Sequence, residues 1–179
     1  PQFEDLPEGL LVRAPAKINL TLLIAGKRPD GFHEIDTVMA KVNLYDEIRI
    51  ERGTLPGIEL VCMGDYDVPC GEENLVWKAC WKWLRKSGRK RDLRITLVKN
   101  IPPGSGLGGG SSDAAAVLLA LNRFEPPGLS REEIFELGAS LGSDVCFFLA
   151  GPTARCTGRG EKIHEIIGNF RFPVILVLP

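Results

Sequence analysis

PPGSGLGGGSSD, running from Pro102 to Asp113, is the stretch on which the reading of the whole chain turns. Five glycines fall within seven residues, Gly104, Gly106, Gly108, Gly109 and Gly110, and glycine gives up more conformational freedom on folding than any other residue. A run that costly makes sense where backbone has to approach something closely. Before it, LRITLV at 93–98 has the β-branched character of a strand; after it, SSDAAAVLLALNRF reads as a helix. A glycine loop that opens a helix aims successive N–H groups and the positive end of the helix dipole at one point, an arrangement that holds phosphate without many cationic side chains. Ser111 and Ser112 add hydroxyls, and Ala114, Ala115 and Ala116 let the helix lie close to a neighbouring sheet. The plain alternative is a flexible hairpin or linker.

Other phosphate loops fit less well. A Walker loop needs a Lys before its hydroxyl residue, and none is present. Gly104, Gly106 and Gly109 satisfy the spacing of a dinucleotide fingerprint, but there the helix should feed a parallel strand ending in an acidic residue. Here Pro126, Pro127 and Gly128 turn the chain into a second helix, opened by a capping-box pattern of Ser130 and Glu133 and running to about Ser140. The V-A-I-K and H-R-D segments that accompany a protein-kinase glycine loop are absent.

Further out, LVRAPAKINLTLLI at 11–24 predicts a strand, a kink at Pro15 and a strand. Lys17 and Asn19 share one face of it, and an ammonium in so apolar a strand is expensive without a partner. Pro29, Asp30 and Gly31 carry turn chemistry, and EIDTVMAKVNL and DEIRIE follow as two more strands of an antiparallel meander. GIELVC at 57–62 is another strand. Asn74 then caps a helix through Arg85, whose Trp77, Cys80, Trp81 and Leu84 form a stripe of helical period, read as a core face, and Gly88 stops it. The basic stretch RKSGRKRDLR reads as a solvated turn, with an RNA-binding strip as its rival. GSDVCFFLAG at 142–151 predicts a turn and a short buried segment, TARCTGRGEKI strand and loop, and FPVILVLP a final apolar strand.

A chain of 179 residues, 44% hydrophobic, can bury a sizeable core. Its 22 Lys plus Arg nearly balance 23 Asp plus Glu, so no global field draws it to nucleic acid or an anionic membrane, and an anion site must be local. No apolar run approaches the roughly 20 residues that span a bilayer, and residues 1–25 lack the pattern of a secretory signal, so a cytoplasmic protein is expected. Cys62, Cys70, Cys80, Cys146 and Cys156 are odd in number and widely spaced, which predicts reduced, mostly buried thiols and neither a disulfide framework nor a zinc site.

The pattern P-x-x-x-G-L-G-G-G-S-S, Pro102 to Ser112, resembles the central phosphate-loop motif of the GHMP kinases, and its extra glycines resemble the diphosphocytidyl-methylerythritol kinase branch. APAKINL at 14–20 with RPDGFHE at 28–34 is similar to the first motif of that branch, and GSDVCFFLAG to its catalytic-aspartate segment. Ser105 departs from the pattern, which more often has Gly there. The resemblance implies an α+β chain with a ribosomal protein S5 domain 2-like, GHMP kinase N-terminal domain. Residues 1–170 would be the ATP-binding domain and 171–179 the start of a C-terminal domain that is largely missing, leaving the chain inactive or very weak alone. It implies Mg2+-dependent transfer of the ATP γ-phosphate to a small cytidyl diphosphate sugar alcohol, with no nucleic-acid or membrane partner.

Carried over by position, the resemblance makes Lys17 and Asp144 the catalytic pair. It assigns ATP binding to Pro102, Pro103, Gly104, Ser105, Gly106, Leu107, Gly108, Gly109, Gly110, Ser111 and Ser112, with the Ser112 hydroxyl also a candidate magnesium contact. Asn19, Phe32 and His33 would hold the substrate, the latter two at the cytosine ring. Each has a plainer alternative: Asp144 and Asn74 as helix caps, with an adenine contact second for Asn74, Phe32 as a core aromatic, and His33 as a turn cap. Two rival functions stay open, another GHMP kinase of homoserine or mevalonate type and a non-catalytic S5-like RNA-binding module.

Overall fold

The structure is a computed structural model that describes residues 1–27, 33–168 and 171–177. Its spine is a pair of long antiparallel strands, β2 (Gly9–Lys27) and β3 (His33–Arg52). β1 (Gln2–Leu6) pairs with β2 on the other side. β3 branches: residues 47–52 pair with β5 (Leu93–Lys99), and residues 35–40 with β6 (Thr153–Gly158), which carries β7 (Lys162–Glu165). β4 (Ile58–Gly64) lies parallel to β5, as a connection through a helix allows, here α1 (Leu75–Ser87). Among the described residues the sheet runs β1-β2-β3-β5-β4 with β6 and β7 off that path.

The two strands expected at 34–51 are one continuous strand, and the kink expected at Pro15 is a register shift between Pro15 and Ala16 within an unbroken β2. Pro15 lacks the N–H a ladder would need, so the irregularity falls there. Further shifts follow at Asn19/Thr21 and Ile24/Gly26.

α2 (Gly109–Phe124) packs on the sheet, with α1 beside it and α3 (Arg131–Leu141) and α4 (Ser143–Leu149) beyond. Ala114, Ala115 and Ala116 are fully buried, and their small side chains let α2 sit close over β2 and β3. Ile48, Ile50, Ile95, Leu97, Leu118 and Phe147 fill the space between layers. Ser130 accepts from the Glu133 N–H while Glu133 reaches back to Ser130, the expected capping box. Residues 142–151, expected as a turn and buried segment, hold the short helix α4.

Three sequence expectations shift in detail. On α1 the buried side is Val76, Ala79, Cys80 and Trp83, one residue round from the expected stripe. Both sets have the same spacing, so period alone could not choose. Trp83 wins because its indole N–H reaches Asn122 Oδ1 at 3.1 Å, whereas Trp81 is left 40% exposed, stacked on Trp77 under Arg85. The basic turn is only partly solvated: Arg89 and Arg91 contact the buried carboxylate of Glu125 at 3.0 and 3.2 Å, joined there by Arg52. Residues 171–177 carry no strand; Ile175 is 90% and Val177 82% exposed. A single extended segment has no ladder to hold it.

The cysteines are free; Cys80, Cys146 and Cys156 are buried, Cys62 is half-buried and Cys70 is exposed. Burial pushes the thiols of Cys80 and Cys156 up to about 12, which makes them inert packing groups.

Candidate functional site

The glycine loop joins β5 to α2, and its glycines do two separate jobs. Gly104, Gly106 and Gly108 have φ of 72°, 76° and 72°, a left-handed conformation that side chains disfavour. At Gly104 and Gly106 an added Cβ would meet nothing within 4 Å, so that side of the loop is open. At Gly108 it would lie 3.0 Å from the Phe148 ring and 3.1 Å from Lys17 Cγ, so this glycine permits a close approach.

The loop is tied to its surroundings by its own atoms. The Lys17 N–H donates to Leu107 O at 2.9 Å, and Leu107 packs with Ala16 and Ile101 in a small apolar cluster. Ser105, the departure from the family pattern, donates to Pro102 O at 2.7 Å and closes the turn from within. Gly108 is the N-cap of α2, so the first N–H groups of that helix, next to the loop, have no intrahelical partner. Ser111 is half-buried there. Ser112, named as a magnesium contact, points elsewhere: its hydroxyl is fully buried and donates to Pro15 O at 2.6 Å, tying α2 to β2 at the bulge. That hydroxyl is a tether in this structure. Among the described residues no group of three or more metal-ligating side chains occurs.

Lys17 sits between the first two irregularities of β2, where a bulge re-aims the side chain. Its ammonium is 3.7 Å from Asp144 Oδ2 and donates to Asn19 Oδ1 at 2.8 Å. Asn19 in turn donates to Thr37 Oγ1 at 2.8 Å, and Thr37 to Thr21 O at 2.6 Å. The Lys17 side chain is 8% exposed and that of Asp144 32%, so one is held from behind while the other faces solvent. Asp144 lies in the first turn of α4, whose N-cap is Gly142 with no side-chain cap bond, so the capping alternative does not describe it. Gly160 in the β6–β7 turn passes behind, where a Cβ would come within 3.8 Å of Asp144 Oδ1.

Two residues that the sequence reading missed support this pair. Thr37 is fully buried and anchors Asn19. Lys41, opposite Lys17 in the β2–β3 register, donates to Phe148 O at 3.1 Å and Ala150 O at 2.7 Å, fastening the C-terminal end of α4. Burial lowers its ammonium to about 8, with Glu165 opposing the shift. The signal was present in EIDTVMAKVNL: a lysine in an apolar strand is as anomalous there as Lys17 is in its own strand.

Other expected contacts are not gathered here. His33 begins β3 at the far end of the hairpin, exposed and away from the Lys17–Asp144 pair, and Phe32 lies outside the described residues. Asn74 accepts from the Val76 N–H at 2.8 Å and donates to Pro69 O at 2.6 Å, so its side chain is engaged as a cap. A cavity of about 930 Å³ lies between Lys41–Leu44 and residues 171–176, and no residue of the glycine loop lines it.

Residues 74–152 match the family described as GHMP kinases N terminal domain. The chain is 51% identical over 160 residues to a 4-diphosphocytidyl-2-C-methyl-D-erythritol kinase of Methylacidiphilum infernorum, covering 89% of this chain and 55% of that protein. It is 44% identical over 170 residues to the kinase of the same name from Syntrophomonas wolfei, covering 95% and 59%. The crystal structure of a 4-(cytidine 5'-diphospho)-2C-methyl-D-erythritol kinase superimposes with a TM-score of 0.74 at 40% identity, over 87% of this chain and 55% of that one. The chain thus spans a little over half the length of these relatives. No helix among the described residues is long and apolar enough to cross a membrane.

Proposed function

Because residues 74–152 match the GHMP kinases N terminal domain, we propose that this chain is the nucleotide-binding part of a kinase acting on 4-diphosphocytidyl-2-C-methyl-D-erythritol. The reaction is transfer of the ATP γ-phosphate to the 2-hydroxyl of that substrate, a step of non-mevalonate isoprenoid precursor biosynthesis. The observation that carries the reading is the Lys17–Asp144 pair, 3.7 Å apart, held against the one glycine of the loop that touches Lys17.

Phosphoryl transfer asks a protein mainly for positioning and charge stabilisation. The N–H groups of the loop and of the first turn of α2 receive the ATP phosphates. Asp144 Oδ2 accepts the proton of the substrate hydroxyl as its oxygen bonds to the γ-phosphorus and the bond to ADP breaks. Lys17, steadied by Asn19 and Thr37, neutralises charge on the transferring group. Mg2+ carried with the ATP would supply charge neutralisation at its phosphates; Ser112, its candidate contact, donates to Pro15 O in this structure. Asn19 would lie near the acceptor end, and Phe32 and His33 would hold the cytosine ring. On this reading residues 1–170 form the ATP-binding domain.

The test is phosphate transfer from ATP to 4-diphosphocytidyl-2-C-methyl-D-erythritol, using this sequence extended to the length of its relatives. Transfer to the 2-hydroxyl supports the proposal; ATP binding without transfer to this compound, but with transfer to homoserine or mevalonate, overturns it. A smaller prediction concerns Thr37. Thr37→Val keeps the shape and removes the hydroxyl that anchors Asn19, and kcat is expected to fall about tenfold, the scale of one lost buried hydrogen bond. An unchanged kcat would remove Thr37 from the chain that orients Lys17.

A further inference from the structure

Beneath the glycine loop, apart from the Lys17–Asp144 pair, lies a second ionic cluster. Lys99 ends β5 just before the loop, Asp113 stands in α2 just after it, and Asp46 belongs to β3 underneath. The Lys99 ammonium donates to Asp46 Oδ2 and, at 3.1 Å, to Asp113 Oδ2. Asp46 Oδ1 accepts the N–H groups of Asn100 at 2.6 Å and Ile101 at 2.8 Å, which fixes the chain as it enters the loop. Gly109 leaves the room this requires, since a Cβ there would lie 2.7 Å from the Lys99 ammonium. The cluster therefore joins the two ends of the loop through side chains.

Its charges do not balance if every group is ionised. Lys99, Asp46 and Asp113 are 3%, 0% and 2% exposed, and one ammonium faces two carboxylates. Asp46 holds the stronger claim to the negative charge, because it collects the ammonium and two backbone N–H groups. Asp113 has one contact to Lys99, and its Oδ1 is buried without a hydrogen-bond partner among the described residues. The other titratable group that faces it is the Cys62 thiol on β4, pushed up to about 12 first by burial and so neutral. A surplus buried anion is expensive, and this one would sit directly below the place where phosphates bind.

We infer that Asp113 carries a proton in the folded protein and serves as a neutral positioning residue, bridging Lys99 and Asp46 so that the loop closes without a negative charge beneath the nucleotide. The inference rests on the nucleotide-binding part of the proposed function. Burial, opposed by Lys99 and reinforced by Asp46, holds the Asp113 carboxyl well above its ordinary value. The proton gives the orphaned oxygen a donor to share with Asp46.

A carboxyl raised in the fold contributes stability that is fully present below its unfolded value of 3.8 and is lost as the pH rises through its folded value. The experiment uses the full-length protein as wild type, Asp113→Asn and Asp113→Ala. It reads ATP affinity by calorimetry and thermal unfolding without nucleotide, both from acid to alkaline pH. Asp113→Ala is expected to weaken ATP binding about tenfold, and Asp113→Asn, a neutral group with one acceptor and one donor, to restore it to within about twofold. The wild type should lose stability toward alkaline pH relative to Asp113→Asn. Parallel stability curves for those two proteins, or an Asn variant as weak as the Ala variant, would overturn the inference. If the Ala variant does not fold, the wild-type and Asn curves still decide. Failure of the kinase reading would show instead as absent phosphate transfer, with the pH comparison untouched.

Discussion

Asp144→Ala, in the full-length protein, is expected to lower kcat about a thousandfold while leaving KM for ATP within about threefold, in the range that removal of a general base produces. The geometry separates the two constants. Among the described residues Asp144 has no hydrogen bond to the loop; its contact is with the Lys17 ammonium at 3.7 Å, and its side chain is 32% exposed. On the proposed reading ground-state nucleotide binding should survive its loss, while the group that would take the hydroxyl proton is gone. Asp144→Asn serves as a check on packing, because it keeps the side-chain shape in the first turn of α4 and still lacks the base. Steady-state kinetics over both substrates measure this. A fall of less than tenfold in kcat for both variants would mean that Asp144 is not the base and that Lys17 and the loop carry the reaction by positioning.

Much of this site was legible before any coordinates. Glycines at 104, 106 and 108 announce a backbone that side chains would spoil, and all three adopt positive φ. Lys17 stood out because an ammonium in an apolar strand needs a partner, and the partner is Asp144, more than a hundred residues away in sequence. What stayed hidden depends on direction in space. Ser112 had the right chemistry for a metal contact, but whether a helical hydroxyl faces the loop or the bulged carbonyl of Pro15 depends on how α2 is rotated on the sheet. The α1 stripe failed for the same reason, since two tryptophan-containing faces one residue apart share one period and a partner on α2 chose between them. Thr37 carried a weaker signal, since threonine is ordinary in a strand; Lys41 stood out as Lys17 did, but its use becomes visible only when β3 is seen to pass under the end of α4. The single β3 was read as two strands, EIDTVMAKVNL and DEIRIE, parted at Tyr45. In the fold Asp46 turns inward to Lys99 and the backbone of the loop.

Gly108→Ala is expected to damage both stability and catalysis, and comparison with Gly106→Ala isolates the cause. Both residues occupy left-handed backbone, φ 72° and 76°, so each alanine carries a similar conformational cost of roughly 1 kcal/mol. They differ in what the new methyl meets. At Gly106 nothing lies within 4 Å, and the effect should stop at the strain and a weakened loop. At Gly108 the methyl would lie 3.0 Å from two carbons of the Phe148 ring and 3.1 Å from Lys17 Cγ. Phe148 is fully buried and has no room to retreat, so the side chain that yields is Lys17. Moving Lys17 breaks its 2.8 Å bond to Asn19 and its approach to Asp144 together. Gly108→Ala should therefore be less stable than Gly106→Ala by about 1–2 kcal/mol, the scale of a local overpacking. It should also lose about a hundredfold in kcat at saturating ATP, as misplacement of about 1 Å at a reacting centre does. Denaturant unfolding and steady-state kinetics on the two variants read these effects separately. Equal losses in the two proteins would show that Gly108 acts through its backbone angle alone and that its contact with Lys17 has no part in placing the ammonium.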